Sequence, residues 1–199
     1  SQRETEAPEL GRILTVEHDP VVTVSRRPTA AQNLLATPEM LAASGVEVRE
    51  TDRGGDITYH GPGQVVLYPI IDLKRTRLRI IEYIRLLEQA VIDTIADWGI
   101  EGTRDDDATG VWVERDGRTA KVCAIGVRVR KWVTLHGLAV NVRTDLNHFN
   151  LIVPCGLAGR PVTRLADLLE GGCPTNEQVR DAVAHRVARL LAEHAGVRL

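Results

Sequence analysis

Residues 121–142, "KVCAIGVRVRKWVTLHGLAVNV", decide the fold. Two β-branched runs lie on either side of a basic turn, where Arg128, Arg130 and Lys131 come close together. Each run has the length of a strand, so the stretch reads as a hairpin. Working outward, "QVVLYPIIDL", "GVWVE" and "NLIVP" read as further short strands, with Asp116-Gly117 a hairpin signal between two of them. "RILTVEH" and "VVTVSRR" stand on either side of Asp19-Pro20 as two strands and a turn. Helices are expected over 38–44, where Thr37 caps and Gly45 closes, and over roughly 78–98 and 177–194. In the second, Ile80, Ile84, Leu87, Val91, Ile95 and Trp98 recur at spacings of three and four; the third opens on the capping-box pair Thr175 and Gln178. Strands in runs, with helices at only a few places, specify an α+β fold: one domain over 12–199, a mixed, largely antiparallel sheet flanked by helices, after a flexible polar arm over 1–11.

The totals narrow the function classes. A net charge of −2 supplies no basic field for nucleic acid or an anionic membrane. No apolar run is long enough to span a bilayer, and no secretory leader is read at Ser1. Three cysteines without a CxxC pair suit a reducing compartment, so a cytoplasmic location is expected.

Four places carry residues suited to chemistry. In "IVPCGL" an apolar run ends at Pro154, and Cys155 with Gly156 sits where a strand gives way to a turn, either as filler or as a thiol held out. "DRGGDITYHGPGQ" (52–64) pairs Gly54 with Gly55, which lets backbone approach a ligand; a turn-rich connection is the plainer alternative. It has neither GK[ST] nor GxGxxG, so glycine alone does not make it a nucleotide loop. Lys121 opens an apolar strand, either snorkelling to solvent or held inside, with Cys123 two residues on and expected on the same face. His136-Gly137 interrupts a strand, as a bulge or as a close approach to a ligand. Cys123, His136, His60, Cys155 and Cys173 lack metal-ligand spacing, and no metal is expected.

Together and in this order, "RGGDITYHGPGQVVLYPI", "GVWV", "KVCAIG", "HGLAVNV" and "IVPCGL" resemble the lipoyl(octanoyl) transferase family, from about residue 13 to 169. The resemblance implies the biotin/lipoate protein ligase fold and octanoyl transfer, without ATP or another cofactor. The donor would be an acyl-carrier-protein thioester carrying phosphopantetheine. The acceptor would be a lysine of the lipoyl domains of 2-oxoacid dehydrogenase complexes or of the glycine cleavage H protein. Cys155 matches the family's acyl-accepting cysteine, and Lys121 the lysine that favours its thiolate. Substrate-binding segments map onto Arg53, Gly54, Gly55, Asp56, Ile57, Thr58, Tyr59 and His60, onto Ala124, Ile125 and Gly126, and onto Gly137, Leu138 and Ala139. A monomer is expected. An ATP-dependent ligase, an amidotransferase between lipoyl domains and a silent acyl-carrier-binding module are the alternatives. Three departures stand out: Ser25 where glycine is commoner, Thr109 where proline is expected, and no early helix before the first strand.

Overall fold

The computed structural model describes residues 9–115, 117–156 and 159–197. In chain order they form β1 (Gly11–Val16), β2 (Val21–Ser25), α1 (Pro38–Ser44), β3 (Glu47–Thr51), β4 (Ile57–His60), β5 (Gln64–Ile71) and α2 (Leu73–Thr76). There follow α3 (Ile80–Ala96), β6 (Gly102–Thr103), β7 (Gly110–Arg115), β8 (Arg118–Arg130), β9 (Val133–Asn141), α4 (Leu165–Leu168) and α5 (Asn176–Ala195).

The β8–β9 hairpin is the spine, in register from Cys123 opposite Val140 to Arg130 opposite Val133. Its turn is Lys131-Trp132, at φ 51° and 69°, the left-handed backbone that a two-residue hairpin turn demands. β5 joins β9 and β1 joins β5, while β7 joins β8 and β6 joins β7, giving an antiparallel sheet in the order β1-β5-β9-β8-β7-β6. A second sheet has the order β3-β2-β4, with β2 parallel to β3 and antiparallel to β4. The expected α+β architecture is the one observed, with its strands divided between two sheets.

Strand alternation sends Val65, Leu67, Val111, Val113 and Val140 to one face of the large sheet, where Leu87, Val91 and Ile95 of α3 and Val179, Val183 and Val187 of α5 cover them. Burying each such side chain is worth about 1.5–3 kcal/mol, so this layer dominates stability. The helix ends follow the caps read from sequence: Thr37 Oγ1 accepts from Met40 N–H, and Thr175 and Gln178 form the reciprocal box that starts α5. The other face of the large sheet looks toward the small sheet, and a second apolar cluster, including Val22, Ile57, Tyr59 and Phe149, lies under β2 and β4.

Four expectations change. "RILTVEH" and "VVTVSRR" do not pair, because the chain leaves the large sheet at Asp19-Pro20 and enters the small one. "NLIVP" is not a strand: the Asp145 carboxylate caps Asn147 N–H (3.0 Å) and starts a 3₁₀ turn over Leu146–Leu151, leaving only Ile152 bridged to Leu34. Lys121 and Cys123 do not share a face. Opposite Val111 and Trp112, three residues of β8 stand against two of β7; this bulge turns Cys123 into the helix-covered core and Lys121 away from it. The arm over 1–11 is not loose at its end. Gly11 pairs with Ile71, Leu10 O accepts from Asp72 N–H, and Glu9 O accepts from Arg75 Nη1. Residues 1–8 and Asp116 lie outside the described residues.

Candidate active site

The site is a cavity of about 270 Å³ between the two sheets. Its apolar wall is Val66 of β5 with Ala124, Ile125, Leu138 and Ala139 of the hairpin, and its polar rim includes Thr23, Thr51, Asp56, Thr58 and Cys155. Of the segments expected to bind substrate, Arg53, Gly55, Asp56, Thr58, His60, Ala124, Ile125, Gly126, Gly137, Leu138 and Ala139 line it. Ile57 and Tyr59 point the other way, into the second apolar cluster, as strand alternation requires. Gly54 does not line the cavity but closes its edge: its N–H donates to Val127 O (3.1 Å), laying the loop onto β8. A Cβ on Gly54 would stand 2.5 Å from that oxygen, and one on Gly126 2.7 Å from Gly54 O, so only glycines allow this contact.

The loop carries Arg53 inward. Its Nη2 donates to Thr23 O (2.9 Å) and its Nη1 to Gly54 O (3.0 Å), fixing the guanidinium on the rim. Burial pulls the Arg53 group below its ordinary value, against Cys155 and Asp56, which pull it up. Ser25, in place of the commoner glycine, donates from Oγ to Gly55 O (3.0 Å) and so ties β2 to the loop.

Cys155 and Lys121 arrive from opposite directions. The turn Pro154–Gly156 holds Cys155 at φ 57° and ψ 15°, a left-handed conformation costly for a side-chain-bearing residue. Val153 N–H donates to Asn33 O (2.7 Å), and Asn33 Nδ2 donates to Asp56 Oδ1 (2.7 Å), anchoring the turn to the rim. The Gly156 N–H closes the turn on Val153 O (3.0 Å), so this donor is spent inside the turn. Lys121 is 5% exposed, so it does not snorkel. Its Nζ donates to Thr109 O (3.0 Å), approaches Cys155 Sγ (3.5 Å) and lies 4.7 Å from the centre of the Trp112 ring. An ammonium has three donors, and three partners surround it.

His60 sits deep in the cavity wall. Gln64 Nε2 donates to Asn141 Oδ1 (2.9 Å), so its Oε1 is the atom facing His60 Nδ1 (2.7 Å) and the imidazole hydrogen is on Nδ1. Burial pushes this imidazole down to about 4. His136, whose Nε2 lies 2.8 Å from Asp52 Oδ1, and His18 are lowered by burial as well. The His60 shift predicts an acid-sensitive fold. Its proton is bound by the unfolded chain near the ordinary value and by the folded protein only near 4. Stability is therefore full above that ordinary value and falls by roughly 3 kcal/mol down to about pH 4. Urea titrations at stepped pH should show this slope, and His60→Gln should flatten it; an unchanged slope in that variant would assign it elsewhere.

Sequence reasoning missed Thr23, Thr51, Val66 and Tyr68 as cavity residues. The available signal was alternation, which turns Val66 and Tyr68 from the face of Val65 and Leu67. Arg128, expected in a basic cluster, is engaged by Asp52, the same carboxylate that meets His136.

Known proteins share this arrangement of elements. Residues 2–188 match the lipoyl protein ligase A/B catalytic domain. An octanoyltransferase of Acidobacterium capsulatum is 44% identical over 93% of this chain and 80% of its own length. One from Bacteroides thetaiotaomicron is 46% identical over 92% and 80%. Among solved structures, the bipartite lipoate protein ligase of Thermoplasma acidophilum aligns with a TM-score of 0.69 at 17% identity, over 94% of this chain and 72% of that one. Biotin protein ligase from Aquifex aeolicus aligns at 0.52 with 16% identity, over 67% and 55%. At these identities the two structures speak for the fold alone.

Proposed function

This chain belongs to the octanoyltransferases of the lipoyl protein ligase A/B catalytic-domain family and is an acyltransferase, and from that premise we propose that it moves an octanoyl or lipoyl group from an acyl-carrier-protein thioester to a lysine of a lipoyl domain, through a thioester on Cys155. The observation that carries the reading is the 3.5 Å approach of Lys121 Nζ to Cys155 Sγ at the mouth of an apolar-walled cavity.

Lys121 takes the Cys155 proton, and the thiolate attacks the thioester carbonyl. The bond to the pantetheine sulfur breaks, and the Lys121 ammonium returns a proton to that leaving sulfur. The acceptor lysine amine then attacks the Cys155 thioester, Lys121 accepts the proton lost by that nitrogen, and Sγ departs as the amide forms. The thioester is already activated, so neither ATP nor a bound cofactor enters the balance. The acyl chain runs along Val66, Ala139 and Ala124, the cavity-facing row of β5, β9 and β8, each buried methylene contributing about 0.8 kcal/mol. The enzyme works as a monomer in the cytoplasm, on lipoyl domains of 2-oxoacid dehydrogenase complexes and the glycine cleavage H protein.

The test mixes the purified protein with octanoyl-acyl carrier protein and an unmodified lipoyl domain in buffer free of ATP. Octanoylated lipoyl domain by intact mass is the expected product. Product formed only with ATP, with release of AMP, would instead establish a ligase.

A further inference from the structure

Glu88 of α3 has no solvent exposure and stands beside Leu87 on the helix face that packs onto the sheet. A carboxylate there needs compensation. Its Oε2 accepts from Arg85 Nη1 (2.7 Å) and lies 3.2 Å from Arg104 Nε, two side chains that reach out to solvent. Its Oε1 accepts from the backbone N–H of Gly110 (3.1 Å). That N–H belongs to the same peptide group as Thr109 O, the carbonyl that accepts from Lys121 Nζ. One peptide therefore has an anion at its N–H end and an ammonium at its C=O end, and hydrogen bonds in such a chain strengthen each other. The backbone is shaped for the arrangement: Gly110 has φ 134°, and a Cβ there would stand 3.3 Å from Lys121 Cε and 2.5 Å from Cys123 O.

We propose that Glu88 is a positioning residue for the Cys155–Lys121 pair, its charge acting through the single Thr109–Gly110 peptide to aim and polarise the carbonyl that holds Lys121 Nζ against Cys155 Sγ. The proposal rests on reading that pair as the reactive one, and its deciding measurement uses no acyl substrate, so the two can fail separately. Iodoacetamide alkylation of Cys155, followed by peptide mass with half-exposed Cys173 as internal reference, reads the thiolate directly.

Glu88→Gln keeps an oxygen for the Gly110 N–H and removes the charge. It should slow Cys155 alkylation at pH 7 by about five- to tenfold while Cys173 keeps its rate, and the deficit should fade as rising pH ionises the thiol unaided. In octanoyl transfer the same variant should lose kcat and keep KM. Arg104→Gln leaves the carboxylate and removes one of its cations, so the peptide feels more of its charge and Cys155 should alkylate faster than in the wild type. A merely structural Glu88 would slow both variants or neither. Wild-type alkylation in Glu88→Gln overturns the proposal, as does slowing in Arg104→Gln equal to that in Glu88→Gln. Where Glu88→Gln fails to fold, Arg104→Gln decides: a rate above wild type upholds the charge relay, and a rate at or below wild type overturns it.

Discussion

Cys155→Ser is expected to lose the hydroxylamine-labile octanoyl adduct and at least about 10³-fold of the transfer rate. A hydroxyl beside Lys121 is a poor nucleophile at neutral pH, and the change removes one atom's identity while leaving the turn and cavity in place. Intact mass after exposure to octanoyl-acyl carrier protein measures the first effect and single-turnover transfer the second. Turnover at the wild-type rate would remove Cys155 from the reaction. The backbone adds a second expectation at the same position. Because Cys155 is held at φ 57°, Cys155→Gly should be inactive yet more stable by about 1 kcal/mol, read as a raised urea midpoint. Lost activity with gained stability would mark the strain as one kept for function.

The helices were legible because their information is local. Apolar spacing and caps fixed α1 at 38–44 and set α3 and α5 to within two residues of the expected ends. The β8–β9 hairpin was legible for the same reason. The partition into two sheets was not, since pairing of β1 with β5 and of β2 with β4 depends on contacts that no window of sequence contains. Nor was the bulge at Lys121–Cys123, where one extra residue reverses the face on which every earlier side chain lies.

The site was legible in part, and by a different route. Residues 53–60, 124–126 and 137–139 were picked out by resemblance, and alternation then explains why Thr58 and His60 line the cavity while Ile57 and Tyr59 do not. The meeting of Lys121 with Cys155 spans 34 residues, and nothing in composition or spacing reports it. Glu88 did leave a trace: a carboxylate beside Leu87 on the buried stripe of an amphipathic helix is a polar group that must find partners inside. Its partner, a backbone N–H across the sheet, is visible only after folding.

Lys121 separates two roles that one amine can combine, and two substitutions should divide them. Lys121→Met retains the buried stem and loses the charge, leaving Thr109 O without its donor. Transfer should fall about 10²- to 10³-fold at pH 7, with partial recovery toward pH 9 as the thiol ionises without help. Lys121→Arg supplies a permanent cation that can pair with a thiolate but cannot take up or release a proton during turnover. Cys155 alkylation should therefore survive in the arginine variant at a rate well above that of Lys121→Met, while octanoyl transfer stays as low in both. Pre-steady-state acylation and amide formation, each followed across pH, measure the two halves. Were Lys121→Arg to transfer octanoyl at the wild-type rate, the lysine would act by charge alone, and the proton leaving the acceptor amine would need another base. The geometry favours the shuttle: with Thr109 O and the Trp112 ring holding the amine from two sides, its remaining donor is directed at the sulfur where both protons must pass.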